Sequence, residues 1–199
     1  MSDEFVEECI KKLMREFQAR PYDRPGKGSP NGIYVYSPKL GKWLLVTSEG
    51  DEEPFTPRSD GFFVIYFDNT KCPACRAYDE VWFPYVEERG GELWGRGYRF
   101  IIVLCDWFAR ECRSRAAAES FRKYGVRASP TTILIAVKEG EQVRVERYEG
   151  VLNAEELRLV VEEFPERVEA YLRGEEPPDP RKAIRKRMLE EILRALLNR

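Results

Sequence analysis

FFVIYFDNTKCPACRAYDEVWFPYVEE (residues 62–88) opens as an unbroken apolar run, passes through a few polar residues, and then places two cysteines either side of Pro-Ala. Phe62–Phe67 shows no polar alternation, the pattern of a strand covered on both faces. From Pro73 to Glu88 the chain reads as a helix, with Pro84 as a kink. Cys72 and Cys75 therefore fall at a strand-to-helix junction. On the motif alone a metal site, a structural bridge and a redox couple all remain open.

Downstream, Phe100–Cys105 is a second buried strand and Arg110–Tyr124 a helix closed by Gly125. Thr131–Val137 and Val143–Tyr148 read as strands joined through KEGE. Asn153 caps a further helix, with Glu156 as its capping-box partner, and Pro165 either kinks that helix or starts another turn. Upstream, residues 3–19 form an amphipathic helix, and Ile33–Tyr36 with Lys42–Thr47 a hairpin. After the proline-rich GEEPPDP, residues 181–198 form a last amphipathic helix. From residue 62 the order is β-α-β-α-β-β-α. It implies a parallel pair, an added antiparallel hairpin and a mixed sheet with helices on both sides.

Bulk composition narrows the chemistry. The 199 residues suit one well-buried domain plus extensions. Lys+Arg 33 and Asp+Glu 35 nearly cancel, giving a net charge of −2 and no electrostatic case for nucleic acid. The absence of histidine removes serine triads, Cys-His nucleophiles and His-ligated metals. Asn and Gln together number six beside abundant Glu, Lys and Arg, a thermophile-like balance in a class whose cytosols tolerate disulfides. No apolar run approaches the roughly 20 residues of a bilayer span, and the acidic N-terminus is not a secretory signal. The expectation is a cytoplasmic, soluble protein.

The junction gives the cysteine pair a specific chemistry. Pro73 suits the first helical position, where its missing N–H is not needed. Cys72 sits at the positive end of the helix dipole with Lys71 beside it, which favours a thiolate. Cys75, one turn on, is the more buried partner. One sulfur attacks and the other resolves.

From about Gly61 to Phe164 the chain resembles the thioredoxin superfamily of thiol-disulfide oxidoreductases. Three features carry the likeness: the strand leading into Cys72-Pro73-Ala74-Cys75, the segment YGVRASPTTILI (124–135), and YEGVLNAEELRLVVEEF (148–164). The resemblance implies a thioredoxin-like α/β fold: a central mixed sheet flanked by helices, here with an extra N-terminal helix and hairpin and a C-terminal helix. Its expected divisions are 1–31, a thioredoxin-like domain at 32–173 with its core at 61–164, and 174–199. It makes Cys72 the nucleophile, Cys75 the resolving thiol, and Pro130 a cis-proline facing them, with Ser129 offering its backbone to substrate. Protein disulfides are the implied substrates and a reductase-type partner regenerates the couple, with no bound cofactor. Departures stand out. Tyr66 occupies the position of the family's buried acid, Lys71 replaces a tryptophan, and Pro-Ala replaces Gly-Pro.

Rival readings are a thioredoxin-fold adaptor without catalysis and a four-cysteine zinc site formed with Cys105 and Cys112. The latter spacing, C-x6-C, is wide for zinc. Cys105 and Cys112 are candidates for a second disulfide, and equally for two buried thiols acting as small hydrophobes. Cys9 reads as core, and Trp107 and Phe108 as packing or groove-lining aromatics. Residues 181–199 hold seven basic residues and two acids, so the last helix reads as a solvated basic face or as an element docking on its own domain, a second copy or a partner.

Overall fold

The computed structural model describes residues 20–47, 50–177, 179–182, 189 and 194. The helix expected over residues 3–19, with Cys9 on its apolar stripe, lies outside the described residues. So does most of the one expected over 181–198. The chain forms two compact units, Met1–Val151 and Leu152–Arg199.

The first unit is built on a seven-stranded mixed sheet. Its strands are β1 (Pro21–Tyr22), β2 (Gly32–Ser37), β3 (Lys42–Leu45), β4 (Gly61–Asn69), β5 (Tyr98–Cys105), β6 (Thr131–Lys138) and β7 (Glu141–Glu149). They lie in the order β1-β3-β2-β5-β4-β6-β7. β4 and β5 are parallel, in register from Phe62↔Tyr98 to Asn69↔Cys105. The remaining neighbours are antiparallel. The β6–β7 hairpin turns on Glu139 and Gly140, whose φ angles of 55° and 79° give the left-handed pair that a two-residue hairpin loop needs.

Helix α1 (Pro73–Gly95) joins β4 to β5, and α2 (Arg115–Lys123) joins β5 to β6. Strand alternation sends successive residues to opposite faces. Phe63, Ile65 and Phe67 meet Ile101, Val103, Ile133 and Ile135 under Ala116, Ala117 and Phe121 of α2. Tyr66 and Phe100 instead meet α1: Tyr66 lies 5.1 Å from Tyr78 and 5.2 Å from Trp82, and Trp82 6.0 Å from Phe100. Helices therefore cover both faces, and such aromatic pairs each add about 0.5–1.5 kcal/mol beyond their area.

Several boundaries differ from the sequence reading, each for a local reason. α1 runs past Glu88 to Gly95, with Pro84 inside it. Gly90 allows the close approach to β2, since a Cβ there would lie 2.8 Å from a Tyr36 ring carbon. β4 continues through Asp68 and Asn69 because it pairs with β5 as far as Cys105. α2 begins at Arg115 rather than Arg110, where the Ser114 side chain accepts the N–H of Ala117. Residues 106–111 form instead a tight turn, with Glu111 O accepting the N–H groups of Asp106 and Trp107.

In the second unit, α3 (Ala154–Glu162) carries the capping box of Asn153 and Glu156. Pro165 opens a separate helix, α4 (Phe164–Leu172). The buried Arg167 of α4 donates to Val160 O at 2.6 Å and so satisfies a carbonyl near the end of α3.

Candidate active site

Strand β4 delivers the chain to the cysteine pair through Asn69. The carbonyl of Asn69 accepts the Cys72 N–H at 3.0 Å and fixes Cys72 as the N-cap of α1. Pro73 follows in the first turn, where no N–H is required. Cys72 Sγ accepts the Cys75 N–H at 3.3 Å, so this sulfur is held by a backbone donor at the helix start. Both cysteines are free and buried, whereas Pro73 and Ala74 between them are exposed.

β6 and the turn before it supply the other wall. The Ser129–Pro130 bond is cis. Ser129 O lies 3.6 Å from Cys72 Sγ, and Ser129 Oγ lies 2.8 Å from Cys75 Sγ. Ser129 is half-buried and Pro130 buried. Lys71 is exposed, and its ammonium is paired with Glu111. That pairing raises the Lys71 pKa and directs its charge toward the 106–111 turn.

Cys105 and Cys112 are joined, with an S–S distance of 2.06 Å. The disulfide closes the turn that braces the cysteine loop. Cys105 O accepts the Thr70 N–H at 2.9 Å, and Asp106 O accepts the Lys71 N–H at 3.3 Å. Asp106 Oδ1 accepts the Thr70 hydroxyl at 2.9 Å and Asn31 Nδ2 at 3.1 Å. Phe108, left-handed at φ 50°, donates its N–H to Asn69 Oδ1 at 2.6 Å. Phe108 also packs on Phe121, 6.0 Å between ring centroids. With two of the four thiols bonded to each other, a four-thiolate zinc site is not assembled. No cluster of three or more metal-ligating side chains occurs among the described residues.

Sequence reasoning missed the charged groups behind the pair. Asp68 is fully buried on β4, ion-paired through Oδ1 with Arg76 of α1, while its Oδ2 has no hydrogen-bond partner. Burial pushes the Asp68 carboxyl up, and Arg76, the Cys75 thiol and the Tyr66 hydroxyl act in the opposite direction. Burial also pushes up the Cys75 thiol, and the Asp68 charge adds to that. Arg76 bonds Asp79 Oδ2 at 2.7 Å, and the Tyr66 hydroxyl donates to Asp79 Oδ1 at 3.0 Å. Burial first, then the Asp68 charge, raise Asp79 to about 7. The available signal was period two along β4: Asp68 shares a face with Tyr66, one pleat nearer the cysteines.

The fold and site thus define a mixed α/β protein carrying a free dithiol where a central parallel strand meets its helix. No family model matches the sequence, and no curated protein matches it. Among solved structures the chain is similar to the thioredoxin from Aeropyrum pernix, at 20% identity over 70% of this chain and 96% of that one, with a TM-score of 0.43. It is similar also to chloroplastic thioredoxin z, at 19% identity over 56% and 80% of the two chains and a TM-score of 0.39. Mitochondrial thioredoxin 3 from Saccharomyces cerevisiae gives 20%, 53%, 81% and 0.37 on the same measures.

Proposed function

We propose that the chain is a thiol-disulfide oxidoreductase acting on protein disulfides, and a thioredoxin-like reductase in preference to an oxidase or isomerase. The observation that carries this reading is the free Cys72/Cys75 pair at the start of α1, with Ser129 against both sulfurs. In the reducing direction Cys72 Sγ attacks a substrate disulfide, forming one S–S bond and releasing one substrate thiolate. Cys75 then attacks Cys72 Sγ, closes the internal disulfide and releases the second substrate thiolate. Two electrons pass to the substrate, and a dithiol donor restores the pair. The half-buried Ser129 backbone is where an extended substrate segment would lie. Asp68, whose Oδ2 is unpartnered, is placed to take the Cys75 proton in the second step. Burial and the Asp68 charge disfavour a thiolate on Cys75.

The test is reduction of insulin disulfides by the intact chain with dithiothreitol as donor. Turnover that disappears in Cys72→Ser supports the reading. Equal rates for the chain and the variant contradict it and favour an adaptor role.

A further inference from the structure

The resolving step has a problem that the dithiol alone does not solve. Cys75 is fully buried, as is Asp68, so a proton handed from one to the other is still inside the protein. The groups around them offer a way out. Tyr66 stands on the same strand face as Asp68, and its hydroxyl is one of the groups acting on the Asp68 carboxylate. That hydroxyl donates to Asp79 Oδ1 at 3.0 Å. The Asp79 side chain is 13% exposed, against 0% for Asp68, so of the two carboxylates it is the one that meets solvent. Arg76 bonds both carboxylates and holds them on either side of the tyrosine.

We infer that Tyr66 and Asp79 form the proton path of the Cys75 thiol, carrying its proton from Asp68 to the surface during the resolving step. The inference rests on the redox reading of Cys72 and Cys75. In the mixed disulfide, Cys75 Sγ forms its bond to Cys72 Sγ as the bond from Cys72 Sγ to the substrate sulfur breaks. The substrate sulfur leaves as a thiolate with the electron pair of that bond. The Cys75 proton passes to Asp68, Asp68 passes it to the Tyr66 oxygen, and Tyr66 gives its own proton to Asp79, which exchanges with water. Tyr66 and Asp79 touch neither sulfur through this path. They act through Asp68 and are positioning residues.

The neighbours of Asp79 set when the path is open. Tyr66 and Asp68 face it from β4, Arg76 and Glu80 from α1, and Arg24 acts on it from the segment after β1. Gly26 closes the same side, since a Cβ there would lie 3.7 Å from Asp79 Oδ2. Burial and the Asp68 charge bring Asp79 to about 7, so it gains and loses a proton close to neutrality. Above that pH it is ionised and accepts. Below it the acceptor is filled and the resolving step slows.

The experiment mixes the reduced full-length chain with dithiobis-nitrobenzoate, whose released thiolate is coloured, in stopped flow across a pH series. The first release reports attack by Cys72 and the second reports resolution by Cys75. The expected wild-type second phase falls as pH drops through about 7. In Asp79→Asn it loses that inflection and slows by about 10-fold or more above neutrality, and Tyr66→Phe reproduces both effects. Tyr66→Phe removes only the hydroxyl, so it retains the test should Asp79→Asn fold poorly, and continued first release shows that the site is assembled. A second phase with the wild-type pH profile in both variants overturns the proton path and leaves the couple standing. A wild-type chain with no second release overturns the couple, and the path with it.

Discussion

At the residue scale, the chemistry behind the cysteines is governed by where charge is buried. Asp68 and Asp79 share one guanidinium, so two carboxylates and one cation occupy a site largely closed to water. The Asp79 pKa of about 7 in the folded chain lies above the roughly 3.9 of an unfolded aspartate. The folded protein therefore keeps a proton that the unfolded chain releases. The stability this contributes is fully present below about pH 4 and is lost as pH rises through about 7. Denaturant midpoints should accordingly be higher at mildly acidic pH than at pH 8, and Asp79→Asn should flatten that slope. A midpoint that rises with pH in the same window would refute the assignment. Arg76→Met removes the cation from both acids and should cost about 3–5 kcal/mol at alkaline pH, where the acids must stay charged. Acidification should recover part of that loss, and equal losses at both pH values would count against it. In the run FFVIYFDN only the shared face of Tyr66 and Asp68 was legible, through the period of two, and not the partners of the charge. Reading the strand as ending at Phe67 left Asp68 in a loop, because a charge inside a strand is tolerated only when a distant element supplies its partner. Arg76 comes from the next helix and Tyr66 from the position where an acid was expected.

At the element scale, what was legible was periodicity, and what was not was bracing. The apolar runs of β4 and β5 and the Cys-Pro-Ala-Cys helix start announce a parallel pair with a dithiol at its end. The start of α2 was misplaced because residues 106–111 contain helix-compatible side chains but are tied down by the Cys105–Cys112 bridge and the Glu111 carbonyl. That bridge encloses a short loop, worth about 2–3 kcal/mol in a chain-entropy account. Replacing both cysteines by serine should lower stability by about that amount, read from urea unfolding. It should also loosen the Thr70–Lys71 loop, so that amide exchange at Thr70 and Lys71 quickens. Unchanged exchange there would separate the bridge from the active-site loop. The sheet core offers a plainer check. Phe67 is fully buried and lies 5.1 Å from Phe121. Phe67→Ala should cost about 3–5 kcal/mol by calorimetric or denaturant melting, and a loss below 1 kcal/mol would mean that the strand face is assigned wrongly.

At the scale of the whole molecule, composition excluded more than it named. The missing histidines left Cys, Asp, Glu, Lys, Tyr and Arg as the side chains on which any catalysis must run, and the candidate site holds Cys, Asp, Tyr and Arg together. No helix among the described residues is long and apolar enough to cross a membrane. The two-residue strand β1 could not be read in advance, since a pair so short has no period and is fixed by its partner β3. The central claim is that Cys72 and Cys75 interconvert between dithiol and disulfide as one couple. It is tested most directly by equilibrating the chain in thiol buffers of graded potential, unfolding it under quench, and reading alkylation by mass. The account predicts a single reversible two-thiol transition assigned to Cys72 and Cys75, absent in Cys72→Ser, with Cys105 and Cys112 unalkylated throughout that range. Two thiols that stay alkylated in every buffer, with no reversible transition, would contradict it.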